Sequence, residues 1–405
     1  MIRRNIEDFA VDVVKRHNKM LFVSGPRQSG KTTFAEMLLK DKFQGIYTNW
    51  DIYNDQKRIT KDPYFFEKES RDLSQRFLVI FDEIHKYKNW KNYLKGCFDG
   101  YGREFNFIVT GSGRLDLFKK GGDSLFGRYF AIHLFPFSLG ELEGNKIDWD
   151  IFYESLLNGF EKKSSFASYE QLFNLTCFPE PFLKNERAFY NLWSNERKKT
   201  LIREDIRDAY AIKEISNIEA LSNLLPYNVS STLSVNSLRE DLKAAFDSVK
   251  KWLSILEQFY YFFTVKPYSK SISRAIKKEP KVYLHDWGEI EDEPARFENI
   301  IAYHLHKAVN LWTGVGLGRF ELFYLRDKEK REVDFLVVKN GESILLVEAK
   351  YLDEELSKNL LYFQAKIKIP FAVQVIHKKD VLKRTRINNH LQYVISADMF
   401  LRCLP

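Results

Sequence analysis

The feature that most constrains this chain is a glycine-bounded loop between a candidate strand and a candidate helix. Residues 25–32 read GPRQSGKT, a full match to the pattern G-x-x-x-x-G-K-[ST], directly after the apolar run Met20–Ser24. The helical segment TTFAEMLLK follows at once. This order of strand, loop and helix predicts an α/β fold in which the loop wraps a phosphate group at a helix N-terminus.

Each residue type in the loop has a role in that prediction. Gly25 and Gly30 let the backbone curl so that its N–H groups face phosphate oxygens, Lys31 reaches the β- and γ-phosphates, and the hydroxyl of Thr32 ligates Mg²⁺. The alternative, a Gly-rich turn that arose by chance, is disfavoured by the flanking strand and helix. The candidate ATP-binding residues of the loop are Gly25, Pro26, Arg27, Gln28, Ser29, Gly30, Lys31, Thr32 and Thr33.

A second apolar strand, in residues 77–85 (FLVIFDEIH), ends in two carboxylates. Asp82 is predicted to hold Mg²⁺ through water, and Glu83 to polarise the attacking water. By itself, an acidic pair after a strand is as often a loop start or a helix cap. Beside the phosphate loop it completes a hydrolytic site, so the sequence predicts an ATPase whose cofactors are ATP and Mg²⁺.

Two further segments carry candidate catalytic residues. The strand in residues 105–114 (FNFIVTGSGR) closes on Thr110, Gly111 and Ser112, where a polar side chain can lie between the acidic pair and the γ-phosphate. A simple strand-to-turn transition also uses Gly and Ser, so both interpretations stay open on these residues alone. Arg128, which precedes another apolar run, is either an arginine finger that completes a neighbouring subunit's site or a surface salt-bridge partner.

In this order, the segments GPRQSGKT, FDEIH, VTGS and GRYFAIHLFPFSLGEL resemble a bacterial and archaeal group of AAA-type ATPases. The resemblance implies a sensor role for Ser112, a finger role for Arg128 and a helical lid after the sheet. Residues 173–183 (FNLTCFPEPFL) also resemble the GGFPE turn of that group, with Thr176 and Cys177 in place of the usual glycines.

The middle of the chain has the pattern of a small DNA-binding fold. Two candidate helices, Ser237–Leu242 and Asp247–Gln258, precede an aromatic stretch that suits a two-strand wing around Phe259–Tyr268. This resembles the winged helix-turn-helix of the same ATPase group. Alternatively, the domain only packs between its neighbours and its lysines form a solvated face. The candidate phosphate contacts are Lys250, Lys251, Lys266, Lys270, Arg274, Lys277 and Lys278.

The C-terminal part contains a candidate hairpin with catalytic residue types, REVDFLVVKNGESILLVEAKY, whose turn is Asn340-Gly341. Glu348 and Lys350 share one strand face, and carboxylates beside a lysine suit metal-dependent phosphodiester cleavage. In a two-residue turn, Asp334 falls opposite Val347, so Asp334 and Glu348 point to opposite faces, and a clean two-residue turn would argue against a metal site. The metal hypothesis therefore predicts an odd-length loop, or a bulge at Gly341 or Glu342, which places the two acids opposite each other.

The spacing Asp-x(13)-Glu-x-Lys resembles the core of the restriction-endonuclease-like, PD-(D/E)xK superfamily. The resemblance implies that Asp334, Glu348 and an upstream helical Glu298 hold Mg²⁺ or Mn²⁺ and that Lys350 activates water. Gln364 matches a later glutamine that the superfamily often carries. A charged hairpin face without catalytic function is the competing interpretation of the short motif.

Length and pattern together predict an α/β protein of several domains, because 405 residues exceed one hydrophobic core. Alternating apolar runs and helical segments at the start favour a parallel sheet covered by helices on both faces. The predicted domains are an AAA-type P-loop core at 1–140, a helical lid at 141–215, a winged helix at 216–275 and a restriction-endonuclease-like domain at 276–405.

Charge and cysteine content bear on partners and compartment. The 63 basic and 55 acidic residues leave a net charge of +8, which favours a nucleic-acid partner, with DNA preferred; a merely soluble basic surface is the alternative. The three cysteines form no close pair, so a reducing cytoplasm is predicted. We expect no signal peptide, no membrane span and no membrane partner.

Two functions from different classes are consistent with these patterns. In the first, ATP hydrolysis drives a nucleic-acid-binding domain that also acts as a metal-dependent nuclease. In the second, the chain is a nucleotide-gated switch for protein association, and the nuclease-like domain is inert. A finger role for Arg128 adds the expectation of a homo-oligomer or of a lid that closes within the chain.

Overall fold

The chain folds as two compact units, residues 3–136 and residues 137–405, which we call the N-unit and the C-unit. The computed structural model describes six stretches of the chain: residues 2–112, 125–145, 148–210, 214–269, 279–387 and 389–405. Within these stretches, no helix is long and apolar enough to span a membrane.

The N-unit is built on a five-stranded parallel sheet, as the sequence predicts. Across the sheet the strand order is β2-β3-β4-β1-β5, and every neighbouring pair is parallel. All residues of β1, β3 and β4 are buried, because the central strands of a parallel sheet are covered on both faces. The strands are β1 (Met20–Ser24), β2 (Gly45–Asn49), β3 (Phe77–Asp82), β4 (Phe105–Gly111) and β5 (Tyr129–His133).

Helices and aromatic side chains cover this sheet. The core beneath them includes Phe66, whose ring meets the rings of Phe105 and Phe107 edge-on at centroid distances of 4.9 and 5.7 Å. Such edge-to-face pairs add to the free energy gained from burial alone. The helices of the N-unit are α1 (Glu7–Arg16), α2 (Lys31–Asp41), α3 (Tyr53–Lys61), α4 (Trp90–Tyr101) and two short 3₁₀ turns at Phe65–Lys68 and Ile84–Lys86.

The C-unit begins with a mostly helical part. Its helices up to the predicted wing are α5 (Leu139–Leu142), α6 (Trp149–Asn158), α7 (Phe166–Asn174), α8 (Pro179–Lys184), α9 (Arg187–Thr200), α10 (Arg207–Tyr210), α11 (Ile215–Leu224), α12 (Val235–Asp241) and α13 (Phe246–Gln258). A π-helical stretch, Leu201–Ile206, joins α9 to α10, and a 3₁₀ turn, Leu225–Asn228, follows α11.

The second half of the C-unit is an eight-stranded mixed sheet with the order β12-β13-β11-β10-β9-β8-β6-β7. Its strands are β6 (Phe262–Pro267), β7 (Lys281–Leu284), β8 (Phe320–Arg326), β9 (Glu332–Lys339), β10 (Glu342–Lys350), β11 (Phe371–Ile376), β12 (Leu382–Ile387) and β13 (His390–Ser396). Its helices are α14 (Glu293–Gly314), α15 (Lys358–Ile367) and α16 (Ala397–Leu401), with a 3₁₀ turn at Trp287–Glu289.

The predicted wing differs from the structure. The stretch Phe259–Tyr268 holds one strand, β6, and its antiparallel partner is β7, which lies beyond residue 275. The end of β6 also pairs with β8 at Lys266 and Pro267. Both strands therefore belong to the large sheet, because backbone groups left at the edge of β8 are satisfied by β6. The two predicted helices are present as α12 and α13, while the winged-helix assignment and the four domain boundaries stay predictions.

The short helix α5 shows why the PFS..E segment folds as it does. Ser138 accepts a hydrogen bond from the N–H of Glu141 at its N-cap, and the Glu141 side chain accepts from the N–H of Ser138, which is a capping box. Glu141 also forms a buried ion pair with Lys307 of α14. His304, one turn earlier on α14, accepts the N–H of Leu139 at 3.1 Å. The segment therefore packs against α14 through buried polar contacts.

Candidate functional site

The phosphate-binding loop lies between β1 and α2, and its curvature depends on glycine. Gly30, at the N-cap of α2, has φ 92°, a left-handed conformation that glycine adopts without strain. At Gly25, an added Cβ would lie 2.3 Å from the carbonyl oxygen of Leu134, so a side chain there has no room. Lys31 donates to the backbone oxygens of Gly25 and Pro26 at 3.1 and 2.7 Å, which folds its ammonium group back over the loop.

A contact outside the predicted motifs braces the loop. The guanidinium group of Arg4 donates to the backbone oxygen of Ser29 at 2.9 Å and to that of Phe135. Arg4 is buried. These bonds join the segment before α1 to the loop and to the residues after β5. No sequence pattern identifies Arg4, because its partners lie 25 and 131 residues away.

Asp82, at the end of β3, accepts hydrogen bonds from three hydroxyl groups. Thr32 donates to Oδ2 at 2.8 Å, Tyr47 to the same oxygen at 2.6 Å, and Thr110 to Oδ1 at 2.5 Å. Burial and the bond to Asp82 raise the pKa of Tyr47 far above its ordinary value, so Tyr47 stays protonated and keeps donating. The adjacent β-strands thus bring together the end of β3, the start of α2 and the end of β4 around one buried carboxylate.

The donor atoms around Asp82 fit a magnesium ion. The hydroxyl of Thr32 and the carboxylate of Asp82 are the hard oxygen ligands that Mg²⁺ takes, either directly or through water. Both are within hydrogen-bond distance of each other and beside the phosphate loop. The sequence did not predict that Tyr47 and Thr110 contact Asp82, although Thr110 lies within a segment that carries candidate catalytic residues.

Glu83 follows Asp82 in an unusual backbone conformation. Its φ is 55°, which is left-handed and uncommon for a residue with a side chain, and its N–H donates to the backbone oxygen of Thr110 at 2.9 Å. Burial raises the pKa of the Glu83 carboxyl group, against the opposing effect of Lys86 and Lys31. The ammonium group of Lys86 lies 3.4 Å from Oε2 of Glu83. The left-handed backbone at Glu83 therefore ends the extended strand directly after Asp82.

In the C-unit, a β-bulge brings the predicted acidic residues to one face. Asn340-Gly341 forms a two-residue turn with Glu342 opposite Lys339, and the register shifts by one residue between Ser343 and Leu345. The described hairpin therefore has neither the odd-length loop nor the bulge at Gly341 or Glu342 that the metal hypothesis predicts. Its two-residue turn argues against that hypothesis, and a bulge at a different place, between Ser343 and Leu345, shifts the register. This bulge places Val347 opposite Phe335, and the next pair along the two strands is Glu348 with Asp334.

Glu348 and Lys350 contact each other on that face. The Lys350 ammonium group lies 2.9 Å from Oε1 of Glu348, and Oδ2 of Asp334 accepts the N–H of Ala349 at 2.9 Å. Burial raises the pKa of Glu348 to about 7, and repulsion from Asp334 acts in the same direction. Oε2 of Glu348 is buried and has no hydrogen-bond partner within the described stretches.

A buried lysine of β7, which the sequence did not single out, lies among the carboxylates. Nζ of Lys281 is 3.2 Å from Oε1 of Glu298, 2.7 Å from Oε1 of Glu332 and 3.1 Å from Oδ1 of Asp334. Tyr283 donates to the same oxygen of Glu298 at 2.7 Å. Burial raises the pKa of Glu298 to about 7, and Asp334 adds to that rise. Each of these carboxylates already has a positively charged or hydroxyl partner.

The residues present therefore do not fit a divalent cation in this arrangement. Across the six described stretches, no group of three or more His, Cys, Asp or Glu side chains is placed to hold a metal ion. The Gln364 side chain forms its hydrogen bonds outside the acidic cluster: it donates to the backbone oxygen of Leu391 and accepts from Gln392. The metal-ligand roles of Glu298, Asp334 and Glu348 stay predictions.

Family models match three consecutive parts of the chain. Residues 17–143 match an AAA domain, AAA_14, which covers the phosphate loop, Asp82 and the end of the sheet. The N-unit carries an AAA-type P-loop domain. Residues 167–290 match a domain of unknown function, DUF8612, and residues 295–397 match another, DUF4143, which includes β9, β10 and their acidic residues.

Individual relatives of the chain are distant in sequence. An uncharacterized protein of Haemophilus influenzae is 23% identical over 358 residues, which cover 81% of this chain and 82% of that protein. Among solved structures, AMPPCP-bound DnaA from Aquifex aeolicus is 17% identical with a TM-score of 0.28, over 63% of this chain and 86% of the other. Bacteroides Pif1 bound to single-stranded DNA is 14% identical with a TM-score of 0.24, over 39% and 46%.

Arg128 lies away from the phosphate loop of its own AAA-type domain. Its backbone oxygen accepts the N–H of Met20 at the start of β1, while the loop leaves β1 after Ser24, a strand length of about 16 Å further on. Its guanidinium group pairs with Asp99 of α4 at 2.7 and 2.9 Å. Arg128 therefore does not contact the phosphate loop within the described part of the N-unit, and its finger role, in a neighbouring subunit or under a closed lid, stays a prediction.

The remaining predicted residues take no part in the contacts described above. Ser112 follows the end of β4, and its sensor role stays a prediction, whereas Thr110 contacts Asp82 directly. Lys250, Lys251 and Lys266 are exposed. The other four candidate phosphate contacts, Lys270, Arg274, Lys277 and Lys278, lie outside the described residues.

Proposed function

We propose that the chain binds ATP with Mg²⁺ and hydrolyses it in the AAA-type domain, and that hydrolysis drives a rearrangement of the protein. The observation that carries this proposal is the convergence of three hydroxyl groups on Asp82 beside the loop that bears Lys31. A chance Gly-rich turn does not require a buried carboxylate to be bonded to the first residues of the following helix.

Each residue of the site has a separate role in the proposed hydrolysis. The loop N–H groups and Lys31 bind the β- and γ-phosphates and offset their charge. Thr32 and Asp82 would hold Mg²⁺, which neutralises charge on the phosphate oxygens. Glu83 orients the attacking water and takes its proton, while the bond from the γ-phosphorus to the ADP oxygen breaks. Thr110, which lies near the end of β4 and donates to Asp82, takes the sensor role in this proposal.

Phosphate release by the purified full chain tests the proposal. Lys31→Ala removes the charge that binds the transferred phosphate, and we expect turnover to fall by on the order of 10²-fold or more. Lys40→Ala, an exposed position on the same helix, is the matched control and should leave turnover unchanged. Equal turnover in wild type and Lys31→Ala would rule out hydrolysis at this site.

Binding of nucleic acid, with DNA preferred, is the partner proposal. It is supported by the net charge of +8 and by the exposed lysines on and after α13. The affinity for fluorescent single-stranded and duplex DNA should fall linearly with salt on logarithmic axes. Replacing Lys250 and Lys251 by Ala should reduce the magnitude of that slope by about 2. Replacing the exposed pair Lys162 and Lys163 is the control, and a salt-independent affinity would favour the protein-association switch.

Metal-dependent cleavage is a separate candidate activity of the C-unit. The bulge that sets Asp334 opposite Glu348 favours it, and the contacts of Lys281 oppose it. A nuclease assay on single-stranded, duplex and branched DNA with Mg²⁺ or Mn²⁺, with and without ATP, compares wild type with Asp334→Ala and Lys31→Ala. Cleavage that Asp334→Ala abolishes would establish the nuclease, whereas intact DNA with continued ATP hydrolysis would leave the C-unit as a non-cleaving module.

A further inference from the structure

Carboxylate oxygens surround the ammonium group of the buried Lys281, as they would surround a bound metal cation. Its side chain is 3% exposed, and its ammonium group contacts carboxylates from two elements, Glu298 of α14 and both Glu332 and Asp334 of β9. An ammonium group has three N–H donors, and the three oxygens at 2.7 to 3.2 Å use all of them. The contacts therefore form a closed set around one positive charge.

These are also oxygens that the predicted metal would need. Asp334 and Glu298 are two of its three predicted ligands, and Oδ1 and Oε1 respectively point to Nζ of Lys281. A divalent cation binds oxygens at 2.0 to 2.6 Å, so its position would overlap with the ammonium group on the same oxygens. Like charges at that separation repel strongly in a buried site. The ammonium group and a metal ion exclude each other.

The third predicted ligand is neutralised in the same way. Oε1 of Glu348 is paired with Lys350, while its Oε2 lacks a hydrogen-bond partner within the described stretches. Both carboxylates of the motif therefore have a lysine as their counter-charge, one from β7 and one from β10. Since a buried carboxylate is unstable without a partner, the folded C-unit needs these lysines where a metal is absent.

We propose that the ammonium group of Lys281 takes the place of the divalent cation, so that the nuclease-like centre of the C-unit is a metal-independent network of ion pairs. Lys281 thereby keeps the motif Asp334, Glu348 and Lys350 folded without making it a metal-dependent nuclease. This inference is independent of ATP hydrolysis in the N-unit. It implies that removing the Lys281 charge creates a metal site in a chain that otherwise has none there.

Manganese binding to the nucleotide-free full chain tests it, with free Mn²⁺ measured by electron paramagnetic resonance. Wild type and Asp334→Asn should bind the same amount of Mn²⁺, because Asp334 is not a ligand in the folded protein. Lys281→Met should gain about one Mn²⁺ per chain with an affinity at least tenfold above wild type, and Lys281→Met with Asp334→Asn should lose that gain. Lys328→Met, in an exposed turn, is the control for removal of a positive charge.

A wild-type chain that binds Mn²⁺ through Asp334 would overturn the proposal, and so would a Lys281→Met chain that folds and gains no site. Lys281→Met removes a counter-charge that three partly buried carboxylates share, although Glu332 keeps Arg326 at 3.6 Å. The variant is expected to melt at a lower temperature, with Mn²⁺ raising its melting temperature more than that of wild type. If Lys281→Met does not fold, the comparison of wild type with Asp334→Asn decides: equal binding supports the proposal, and binding lost in Asp334→Asn contradicts it.

Discussion

At the scale of single residues, the buried carboxylate of Asp82 is the centre of the proposed ATP site. Its three hydroxyl partners come from α2, β2 and β4, so each partner ties a different element to the same atom pair. Of these three partners, only Thr110 lies on β4, and the sensor residue is expected at the end of that strand. The contact at 2.5 Å identifies Thr110, ahead of Ser112, as the residue to test.

Thr110→Val keeps the shape of the side chain and removes its hydroxyl. Hydrogen bonds to charged groups contribute about 1.5–3 kcal/mol, so we expect kcat for ATP to fall by roughly 10- to 100-fold while ATP binding changes little. Steady-state turnover and equilibrium binding of a labelled ATP measure the two effects separately. Ser112→Ala is the matched variant, and a larger loss of kcat in Ser112→Ala than in Thr110→Val would return the sensor role to Ser112.

At the scale of elements, the contact between α5 and α14 depends on a neutral histidine. Nε2 of His304 accepts the N–H of Leu139, and Nδ1 lies 2.8 Å from the backbone oxygen of Ile300, so the ring donates there and carries one proton. Burial lowers the pKa of His304 to about 3. The unfolded chain takes up a proton at about pH 6.5, whereas the folded chain does not.

The free energy of unfolding should therefore depend on pH through His304. The contribution is complete above about pH 6.5 and is lost as the pH falls towards 3, which amounts to about 2 kcal/mol by pH 5. Urea unfolding at neutral and acidic pH, compared between wild type and His304→Gln, isolates this contribution. We expect wild type to lose about 2 kcal/mol more than the variant. The exposed His17→Gln is the control, and equal losses in wild type and His304→Gln would contradict the assignment.

Local patterns predicted the elements that carry their own signals. The strand Met20–Ser24, the turn residues Gly25 and Gly30, and the acid after β3 are read from consecutive residues, and the structure has each of them in place. The bulge in β10 was predicted at Gly341 or Glu342 but lies between Ser343 and Leu345, because strand alternation fixes the face of a residue only once the register is known.

Elements formed by distant pairing were not predictable in the same way. Pairing of β6 with β8 joins Lys266 to Phe323, and no local pattern connects residues so far apart. The contact of Lys281 with Asp334 was not predictable for the same reason, since the two residues meet only when β7 and β9 belong to one sheet. Arg4 and Tyr47 belong to this class too, because each reaches the ATP site from outside its sequence motifs.

At the scale of the whole molecule, an arginine-finger role for Arg128 bears on whether several copies of the chain assemble. It directly precedes β5, at the edge of the sheet away from the phosphate loop, and pairs with Asp99, so a finger role requires either another copy of the chain or a lid that closes. Arginine fingers contribute on the order of 10³-fold or more to turnover. The finger hypothesis therefore predicts both a large effect of Arg128 and a dependence on neighbouring subunits.

A mixing experiment tests that prediction. Arg128→Ala should lower kcat by on the order of 10³-fold, and mixing it with Lys31→Ala, which retains Arg128, should give turnover well above either variant alone. Asp99→Asn, which releases Arg128 from its present partner, should not lower turnover. A mixture whose turnover is the mean of its two components, or an Arg128→Ala chain as active as wild type, would assign Arg128 to the ion pair alone.

Glu83 is the residue of the proposed ATP site whose replacement separates binding of ATP from its hydrolysis. Glu83→Gln keeps the size of the side chain and removes the base, so ATP should bind with an affinity within about threefold of wild type while hydrolysis falls by about 10² to 10⁴-fold. Titration with labelled ATP and measurement of phosphate release, on the same preparations, give both quantities. Tight binding with lost hydrolysis would confirm the assignment, and turnover equal to wild type would contradict it.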